Sequence, residues 1–319
     1  MYKYYKTNID SYYFCIILFL AEPNQKDKKM QFTKEQLEQQ LIEAFKFFDK
    51  KSIRSLLAAG VDSDKHIRNK LLANEAVIKP ADETKLFNLL LEFGADPNLD
   101  TKIDHRMHAN TLFKHVLTYN YRSLPKAKLL LKKGVNIDAI DEYSGTNAMH
   151  DAASNVDDSF DVVKFLRRNG ANMNIKDSNG QTPLMQMTDF YRIYDEDLFL
   201  DTNWLINPIK YAIKYGADVN AKDNEGRTPL IQSVDHVWDP NFTTDKRDIR
   251  RVNFNKMFYY EIPKILLING ADFYAEDKAG YSAMYHLSHT PARQQDLIRA
   301  YDDARAILKK TQNQNTIVK

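Results

Sequence analysis

Two pairs of histidines are the first residues whose type and spacing could support chemistry. His105 and His108 stand three residues apart, as do His286 and His289, and this spacing can bring two imidazole rings to one helical face to bind a metal ion. Neither pair has a neighbouring cysteine or an acidic residue in the order that zinc proteases use. The pattern therefore indicates polar histidines on helix surfaces or in turns, and we predict no metal site.

Catalytic side chains in a recognisable order are also missing from the sequence. His150 followed by Asp151 suggests a general base, but no nucleophile elbow accompanies it. Acidic pairs such as Asp157-Asp158 are typical of helix starts and solvated faces. The single cysteine, Cys15, excludes a disulfide framework and any cysteine-ligated zinc or iron–sulfur site. We therefore predict that the protein is not an enzyme and binds no cofactor.

The overall charge gives no reason to expect a nucleic-acid partner. Of the 319 residues, 28% are charged and 43% are hydrophobic, yet the formal net charge is only +2. One short basic run, KRDIRR at residues 246–251, lies beside aromatic residues and could contact phosphates. An acidic or phosphate-bearing protein would use the same side chains. We predict that the partner is not a nucleic acid.

The first thirty residues differ in composition from the rest. Lys3 and Lys6 precede an apolar run from Tyr12 to Ala21, which is too short to cross a bilayer but fits the hydrophobic region of a signal peptide. The alternative interpretation is an untranslated or disordered leader ahead of the true start at Met30. The first predicts a periplasmic or exported protein and the second a cytoplasmic one, and neither includes a stable membrane span. Under both, residues 31–319 form a single folded domain.

The ten glycines fall into two sets with different surroundings. The first set follows apolar helical runs, as in LLLKKG and FLRRNG, where a helix closes through a left-handed residue. Its members are Gly60, Gly94, Gly134, Gly170, Gly216 and Gly270. The second set comes ten or eleven residues later, in turns such as DSNG and DNEG. Its members are Gly145, Gly180, Gly226 and Gly280.

A helix opening follows each turn glycine. In QTPLM and RTPLI a threonine is the expected N-cap, and a proline takes the first helical position, where its missing N–H costs nothing. The expected caps are Thr182, Thr228, Asn147, Ser282 and Asn110. Second helices are expected to open near Pro125, Pro208 and Pro263. A capping-box pattern formed by Thr33 and Gln36 predicts the start of the first helix.

This unit of turn, helix, loop, helix and glycine resembles the ankyrin repeat. The motifs GADVN, GADPN and GANMN match the family's segment after the second helix, and GTNAMHDAA supplies the family's histidine as His150. The resemblance covers about residues 34–310. It implies an all-α solenoid of about seven helix-turn-helix units with altered end units at residues 33–60 and 280–309. It also implies that His150 forms hydrogen bonds around the turn and helix start.

Two repeats are longer than the others, and the excess falls between their first and second helices, near residues 189–203 and 235–260. These insertions contain both tryptophans and further aromatic residues, unlike a solvated linker. The further aromatics are Phe190, Tyr191, Tyr194, Phe199, Phe242, Phe254, Phe258, Tyr259 and Tyr260. One insertion is acidic and the other basic, so they either fold onto each other or project as a binding surface. The residues predicted to contact a partner are Tyr191, Tyr194, Asp195, Glu196, Asp197, Trp204, Trp238, Arg247, Arg250 and Arg251.

The resemblance implies a protein-binding module without catalysis, expected to be monomeric in isolation. Turn tips, first helices and insertions would form a preordered surface, so little ordering cost would oppose binding. Irregular ankyrin arrays behind an export-like leader are similar to bacterial immunity proteins, which predicts a secreted toxin or lipase as the neutralised partner. The alternative is a regulatory scaffold or host-directed effector built on the same repeats.

Overall fold

Helices form the regular structure of the chain in the part that the computed structural model describes, apart from isolated β-bridges such as Glu276 to Ser282. The described residues are 33–46, 49–62, 80–98, 111–117, 123–142, 144–154, 156–189, 203–235, 257–288 and 290–317. The all-α fold class predicted from the sequence is confirmed.

Contacts between residues divide the chain into two compact units, each with its own helices. The first unit comprises residues 1–107 and 125–135, and its helices are α1 (Lys34–Lys46), α2 (Lys50–Ala58), α3 (Pro80–Glu92) and most of α5 (Leu124–Lys132). The second unit comprises residues 108–124 and 136–319. Its helices are α4 (Leu112–Leu117), α6 (Ala148–Ser154), α7 (Val156–Arg168), α8 (Pro183–Thr188), α9 (Asn203–Lys214), α10 (Pro229–Val234), α11 (Ile262–Ile268), α12 (Ala283–His286) and α13 (Pro291–Ile317). A π-helix, Met257–Glu261, leads directly into α11.

The six glycines predicted to close helices do so. Each lies two residues beyond a helix end and has φ between +81° and +96°, a region where a Cβ is strained. After α7, for example, the Gly170 N–H donates to the Arg167 carbonyl at 3.2 Å and the Ala171 N–H donates to the Leu166 carbonyl at 3.1 Å. These bonds satisfy carbonyls that the helix end would otherwise leave unpaired.

Three of the predicted caps accept hydrogen bonds from backbone N–H groups of the first helical turn, as expected. The Thr182 hydroxyl accepts from the Met185 N–H at 3.4 Å, and Thr228 does the same for Ile231 at 3.3 Å. Asn147 Oδ1 accepts from two backbone N–H groups of α6, each at 3.1 Å. Ser282 occupies the cap position without a side-chain hydrogen bond to the helix.

The first helix of the second unit is capped by a different residue from the one predicted. Asn110 lies outside the described residues, and α4 begins at Leu112. The oxygen that accepts from the Lys114 N–H, at 3.2 Å, belongs to Thr111. The capping box predicted at Thr33 is present, since Thr33 and Gln36 exchange backbone-to-side-chain bonds of 2.9 and 3.3 Å.

The prolines predicted to open second helices behave differently from one another. Pro125 is the second residue of α5, as predicted. Pro208 lies inside α9, which begins at Asn203, so that prediction was wrong. The helix forgoes one backbone hydrogen bond there, while the flanking Ile206 and Ile209 are buried. Packing of these side chains therefore outweighs the tendency of proline to start a helix, and α9 extends through Pro208. Pro263 does stand at the start of α11, but the π-helix already precedes it.

The second insertion ends earlier than its aromatic content indicated. Phe258 and Tyr259, which the sequence assigned to the insertion, lie in the π-helix with 0% and 1% of their surface exposed. The π-helix contacts α10, α11 and α13. These two aromatics therefore belong to the core of the repeat that contains α10 and α11.

Neighbouring repeats are joined by asparagines that recur after the closing glycines. Asn174 Nδ2 donates to the Gly216 carbonyl at 2.8 Å, while its Oδ1 accepts from the Asp218 N–H at 2.7 Å. Asn220 makes the same two bonds to Gly270 and Asp272, each at 2.8 Å. The asparagine of GADVN thus fixes the distance to the next repeat.

After the last closing glycine, a different residue type stands at the position that asparagine holds in the two preceding repeats. The corresponding residue after Gly270 is Tyr274, which is 69% exposed and lies edge-on to Phe273 and Tyr301. Phe273 in turn stacks on Tyr301 of α13, with centroids 4.2 Å apart. A ring that packs against the terminal helix therefore replaces the side chain that would otherwise join a following repeat.

The turn glycines also lie at contacts between repeats. The Asn224 N–H donates to the Asn179 carbonyl and the Lys278 N–H donates to the Glu225 carbonyl, both at 2.9 Å. A Cβ built on Gly226 would stand 2.9 Å from the Lys278 nitrogen, whereas nothing lies within 4 Å of a Cβ at Gly280. The turn at Gly280 is therefore open where the earlier turn is covered.

This difference predicts unequal effects for two matched substitutions. Gly226 and Gly280 have φ of +80° and +81°, so alanine should cost each about 1 kcal/mol of unfolding free energy through backbone strain. Gly226→Ala should cost about 1–3 kcal/mol more, because its methyl group must displace backbone of the next turn. Urea unfolding of both variants measures the difference. Equal losses would show that the turns are not in contact.

Candidate functional site

A row of polar side chains runs along the first helices of the second unit. They occupy the fourth and seventh positions after each N-cap, which lie on one face because a helix turns once every 3.6 residues. The fourth-position residues are Asp151, Gln186, Gln232 and His286, and the seventh-position residues are Ser154, Asp189 and Asp235. We refer to these seven residues as the polar row.

Members of the polar row pair across neighbouring repeats. Ser154 Oγ donates to Gln186 Oε1 at 3.1 Å, joining α6 to α8. Asp235 Oδ1 lies 2.9 Å from His286 Nδ1, joining the end of α10 to α12. Both bonds link a seventh-position side chain to the fourth-position side chain of the next repeat. The same pairing therefore recurs at two junctions between neighbouring repeats.

Lys114 is not a member of the polar row but pairs with Asp151 at its N-terminal end. The Lys114 residue is 3% exposed. Its Nζ lies 2.8 Å from Ser144 Oγ and 2.7 Å from Thr146 Oγ1, and it forms ion pairs of 3.4 and 3.3 Å with Asp141 and Asp151. Burial raises the pKa of the Asp151 carboxyl, although the positive charge of Lys114 acts against this shift.

His150 stands three residues after its cap, in the position that Lys114 holds after Thr111. Its Nδ1 is 2.7 Å from Asn147 Oδ1, and its Nε2 is 3.0 Å from the Gln181 carbonyl of the next repeat. Burial lowers the pKa of the imidazole, although the bond to the Gln181 carbonyl favours its charged form. The predicted hydrogen-bonding role is thus present, and the histidine joins two neighbouring repeats.

The C-terminal end of the row is the most exposed and the most highly charged. Arg227 Nε is 2.9 Å from Asp223 Oδ2, and its Nη1 is 3.4 Å from Asp235 Oδ2. His286 completes the chain by pairing with Asp235 through Nδ1 and with Asp277 through Nε2, at 2.9 and 3.1 Å. We refer to these five residues as the charged network.

Two tyrosines cover one side of the charged network. Tyr281 and Tyr285 stack with ring centroids 3.9 Å apart and an interplanar angle of 9°. Tyr285 is 52% exposed, and Tyr281 lies edge-on to the His286 ring at 6.1 Å. Rigid aromatics beside fixed charges are typical of binding surfaces, because their side chains lose little entropy when a partner arrives.

The charges of this network hold one another in their ionised forms. The hydrogen bond to Asp235 raises the pKa of His286, although partial burial opposes this, and the same bond lowers the pKa of Asp235. Desolvation acts to raise the pKa of Asp277, but hydrogen bonds from the Tyr281 N–H and from His286 outweigh it, so that pKa is lowered. The hydrogen bonds of this network therefore favour the charged forms of His286, Asp235 and Asp277.

The raised pKa of His286 predicts a pH-dependent contribution to stability. The ion pairs are fully present below the ordinary histidine pKa of 6.5 and are lost as pH rises through the raised value. His286→Gln should therefore lower the free energy of unfolding by about 1 kcal/mol near pH 5.5 and by less near pH 9. Thermal unfolding of both proteins at the two pH values tests this. A difference that does not change with pH would contradict it.

The predicted contact residues cannot be placed in this network. Trp204 is the second residue of α9, and the other nine lie outside the described residues: Tyr191, Tyr194, Asp195, Glu196, Asp197, Trp238, Arg247, Arg250 and Arg251. The histidines His105, His108 and His289 lie outside them as well. Within the described ranges, no group of three or more His, Cys, Asp or Glu side chains is arranged to hold a metal ion.

Sequence reasoning missed the charged network and the two stacked tyrosines. The caps Thr228 and Ser282 were identified, and counting four and seven residues onward from them would have found Asp235 and His286. Asp189 directly follows α8 and Asp235 directly follows α10, and these are the residues at which the sequence predicts the two insertions to start.

Comparison with known proteins identifies one family. The model of a family described as ankyrin repeats (three copies) matches residues 74–177. This range includes α3 to α7 and the histidine of the GTNAMHDAA motif. No curated protein matches the chain. Across the described ranges, every helix is either too short or too polar to cross a bilayer.

Proposed function

We propose, from the match of residues 74–177 to the ankyrin-repeat family of protein-binding modules, that this chain binds one partner protein and neutralises it. The partner that we propose is a bacterial toxin or lipase, with this chain as its immunity protein. Inhibition by such a module requires no catalysis of its own, only a surface that covers the partner's active region.

The observation that carries the proposal is the C-terminal end of the polar row. Arg227 and Asp235 are each about 28–29% exposed, and Tyr285 is 52% exposed. All three are held by bonds or stacking before any partner arrives. Such preordered tyrosine and arginine side chains are the types that most often dominate binding energy at protein interfaces.

We propose further that the two insertions extend this surface. Their residues follow Asp189 and Asp235 in the chain, so they start from the polar row. The proposed anchors include Trp204, Trp238 and the pair Arg250 and Arg251, which combine aromatic area with guanidinium groups.

Affinity capture with matched variants tests the binding surface. The tagged chain and an Arg227→Ala/Tyr285→Ala variant are used as baits in cell extract and culture medium, and retained proteins are quantified by mass spectrometry. We expect one dominant protein whose recovery with the variant falls at least about tenfold, since two interface anchors are lost. Arg305→Ala on the exposed part of α13 is the matched control and should retain that protein. Equal recovery with the surface variant and the control would contradict the choice of surface.

Neutralisation is tested on the captured pair. The purified partner is assayed for toxicity and for lipase activity with increasing amounts of the chain, and inhibition should be complete near a one-to-one ratio. A partner that binds but keeps full activity would exclude the immunity role and favour a regulatory scaffold. Fractionation of cells for the full-length and Met30-initiated forms tests the proposed export separately.

A further inference from the structure

The last repeat exposes four positions that contact the following repeat elsewhere in the second unit. They are the asparagine position of the GADVN motif, the position two residues later, the residue before each turn glycine, and the third residue after each N-cap. In the last repeat these positions hold Tyr274, Glu276, Ala279 and Tyr285, and all four residues are exposed. We refer to these four residues as the end face.

Two of these positions hold hydrogen-bond donors in the preceding repeats. The asparagine side chains donate to the next closing glycine, as described above. Lys176 Nζ donates to the Lys222 carbonyl at 2.7 Å, and Lys222 Nζ donates to the Glu276 carbonyl at 3.1 Å. On the end face a tyrosine replaces the asparagine and Glu276 replaces the lysine. An ionised carboxylate only accepts hydrogen bonds, so a cationic donor has been exchanged for an anionic acceptor.

A backbone acceptor of the end face also differs from its counterparts. The carbonyls of Asn179 and Glu225 each accept a 2.9 Å bond from an N–H group of the next turn. Within the described ranges, no backbone N–H donates to the Ala279 carbonyl. The Glu276 carboxylate has no hydrogen bond or ion pair within those ranges either. The end face thus offers two oxygen acceptors to a donor on another molecule.

An aromatic side chain occupies the remaining position that is buried between earlier repeats. His150, Met185 and Ile231 stand there in the three preceding repeats and are at most 1% exposed. Tyr285 is 52% exposed, and Tyr281 supports its ring by stacking at 3.9 Å. The surface that a further repeat would bury is therefore an ordered pair of tyrosine rings.

The faces of tyrosine rings attract cations, because the ring quadrupole is negative above and below its plane. This chain uses that attraction next to the end face, where the Arg293 guanidinium lies 4.7 Å from the centre of the Tyr259 ring. In the part of the chain that the structure describes, no cation lies over the rings of Tyr281 or Tyr285.

We propose that the end face binds a basic segment of the partner protein, with an arginine or lysine over Tyr285 and a second cation against Glu276. Exposed charges in the segment 271–285 agree with this occupant, since Asp272 and Glu276 stand against Lys278 alone. A further repeat would lack the donors that join the earlier ones. A second copy in face-to-face contact would bring two Glu276 carboxylates together, and like charges oppose association.

This inference rests on the proposed function, because Tyr285 belongs to both surfaces, and it adds the chemistry of the partner's segment. The two proposals can fail separately. If the captured partner is lost with Arg227→Ala/Tyr285→Ala but fully retained with Glu276→Lys, the basic occupant is contradicted and the proposed function stands. If a basic peptide binds the end face but no partner is captured, the proposed function has failed.

The test uses the full chain and two fluorescent peptides of about twelve residues, one alternating arginine with glycine and the other alternating glutamate with glycine. The formal net charge of the chain is +2, so its overall charge does not favour the arginine peptide. Fluorescence anisotropy should nevertheless show at least about tenfold tighter binding of the arginine peptide, weakening as salt rises. Equal affinity for the two peptides, or tighter binding of the glutamate peptide, would overturn the proposal.

Matched variants locate the binding site. Glu276→Lys/Tyr285→Ala should weaken binding of the arginine peptide about tenfold, because a carboxylate and a ring face are lost together. Tyr285→Phe keeps the ring and should retain most of the affinity. Glu142→Lys/Tyr215→Ala makes the same changes at an exposed acid and an exposed tyrosine outside the end face, and should change affinity less than about twofold. Circular dichroism establishes that each variant is folded.

Two other results would overturn the proposal. Equal losses in the end-face variant and its control would show that the peptide does not bind at the end face. A concentration-dependent dimer in sedimentation that the arginine peptide cannot displace, and that Tyr285→Ala abolishes, would identify a second copy of the chain as the occupant.

Discussion

Replacing Lys114 by methionine is expected to lower the free energy of unfolding by about 3–5 kcal/mol, the cost of removing one partner from a buried ion pair. Lys114 is 3% exposed, and its ammonium group is the cation that faces Asp141 and Asp151. Methionine has a similar volume, so the loss would come from charge rather than from a cavity. The two carboxylates and the hydroxyls of Ser144 and Thr146 would lose a shared donor.

The pH dependence of this loss provides an internal check. Burial already raises the pKa of Asp151 while Lys114 lowers it, so the pKa should rise further in Lys114→Met. The carboxyl would then be protonated over a wider range of acidic pH, where its burial costs less. We therefore expect a larger destabilisation at pH 7.5 than at pH 4.5 in urea unfolding.

Two further variants isolate the ion pair. Lys114→Met/Asp151→Asn removes a charge from each side and should recover part of the lost stability, because fewer unpaired charges remain buried. Lys164→Met is the control, since Lys164 pairs at 2.8 Å with Asp161, whose side chain is 85% exposed. An exposed pair of this kind should contribute less than about 1 kcal/mol. Similar losses for Lys114→Met and Lys164→Met would mean that Lys114 is not buried among acids.

The helix ends of this protein could be predicted from sequence because their causes are local. A closing glycine with positive φ and a cap such as Thr182 or Thr228 act within a few residues of the chain. The ankyrin resemblance rested on the repetition of these local features, and the family match over residues 74–177 confirms it. Pro208 shows that such local signals do not always decide where a helix starts. The helix continues through Pro208, and the nearby Ile206 and Ile209 are buried.

Counting from the caps would have found Asp235 and His286, but the pairing of side chains in the candidate site could not be predicted, because it depends on contacts between repeats. Lys114 and Asp141 are 27 residues apart, and Asp235 and His286 are 51 apart. Each pair forms only when neighbouring helices stack in one register, and the insertion between residues 235 and 257 conceals that register in the sequence. A lysine in the position of the family's histidine gave no local sign that acids of the next repeat would face it.

Phe258→Ala is expected to lower the free energy of unfolding by about 3–5 kcal/mol, through lost apolar contacts and the cavity left behind. Its aromatic surroundings in the sequence indicated a surface insertion, for which alanine would change stability by less than about 0.5 kcal/mol. The structure instead places Phe258 at 0% exposure in a π-helix that contacts α10, α11 and α13. Urea unfolding distinguishes the two outcomes directly.

Tyr260→Phe is the matched control, two residues further along the same π-helix. The Tyr260 hydroxyl donates to the Asp303 carboxylate and accepts from Lys264 Nζ at 2.9 Å, and its ring is only partly buried. Removing that hydroxyl should cost about 0.5–1.5 kcal/mol, the usual value of a hydrogen bond, with no cavity. If Phe258→Ala cost no more than this, the π-helix would not be part of the core, and the second helix of the repeat that begins with α10 would have to start at Pro263.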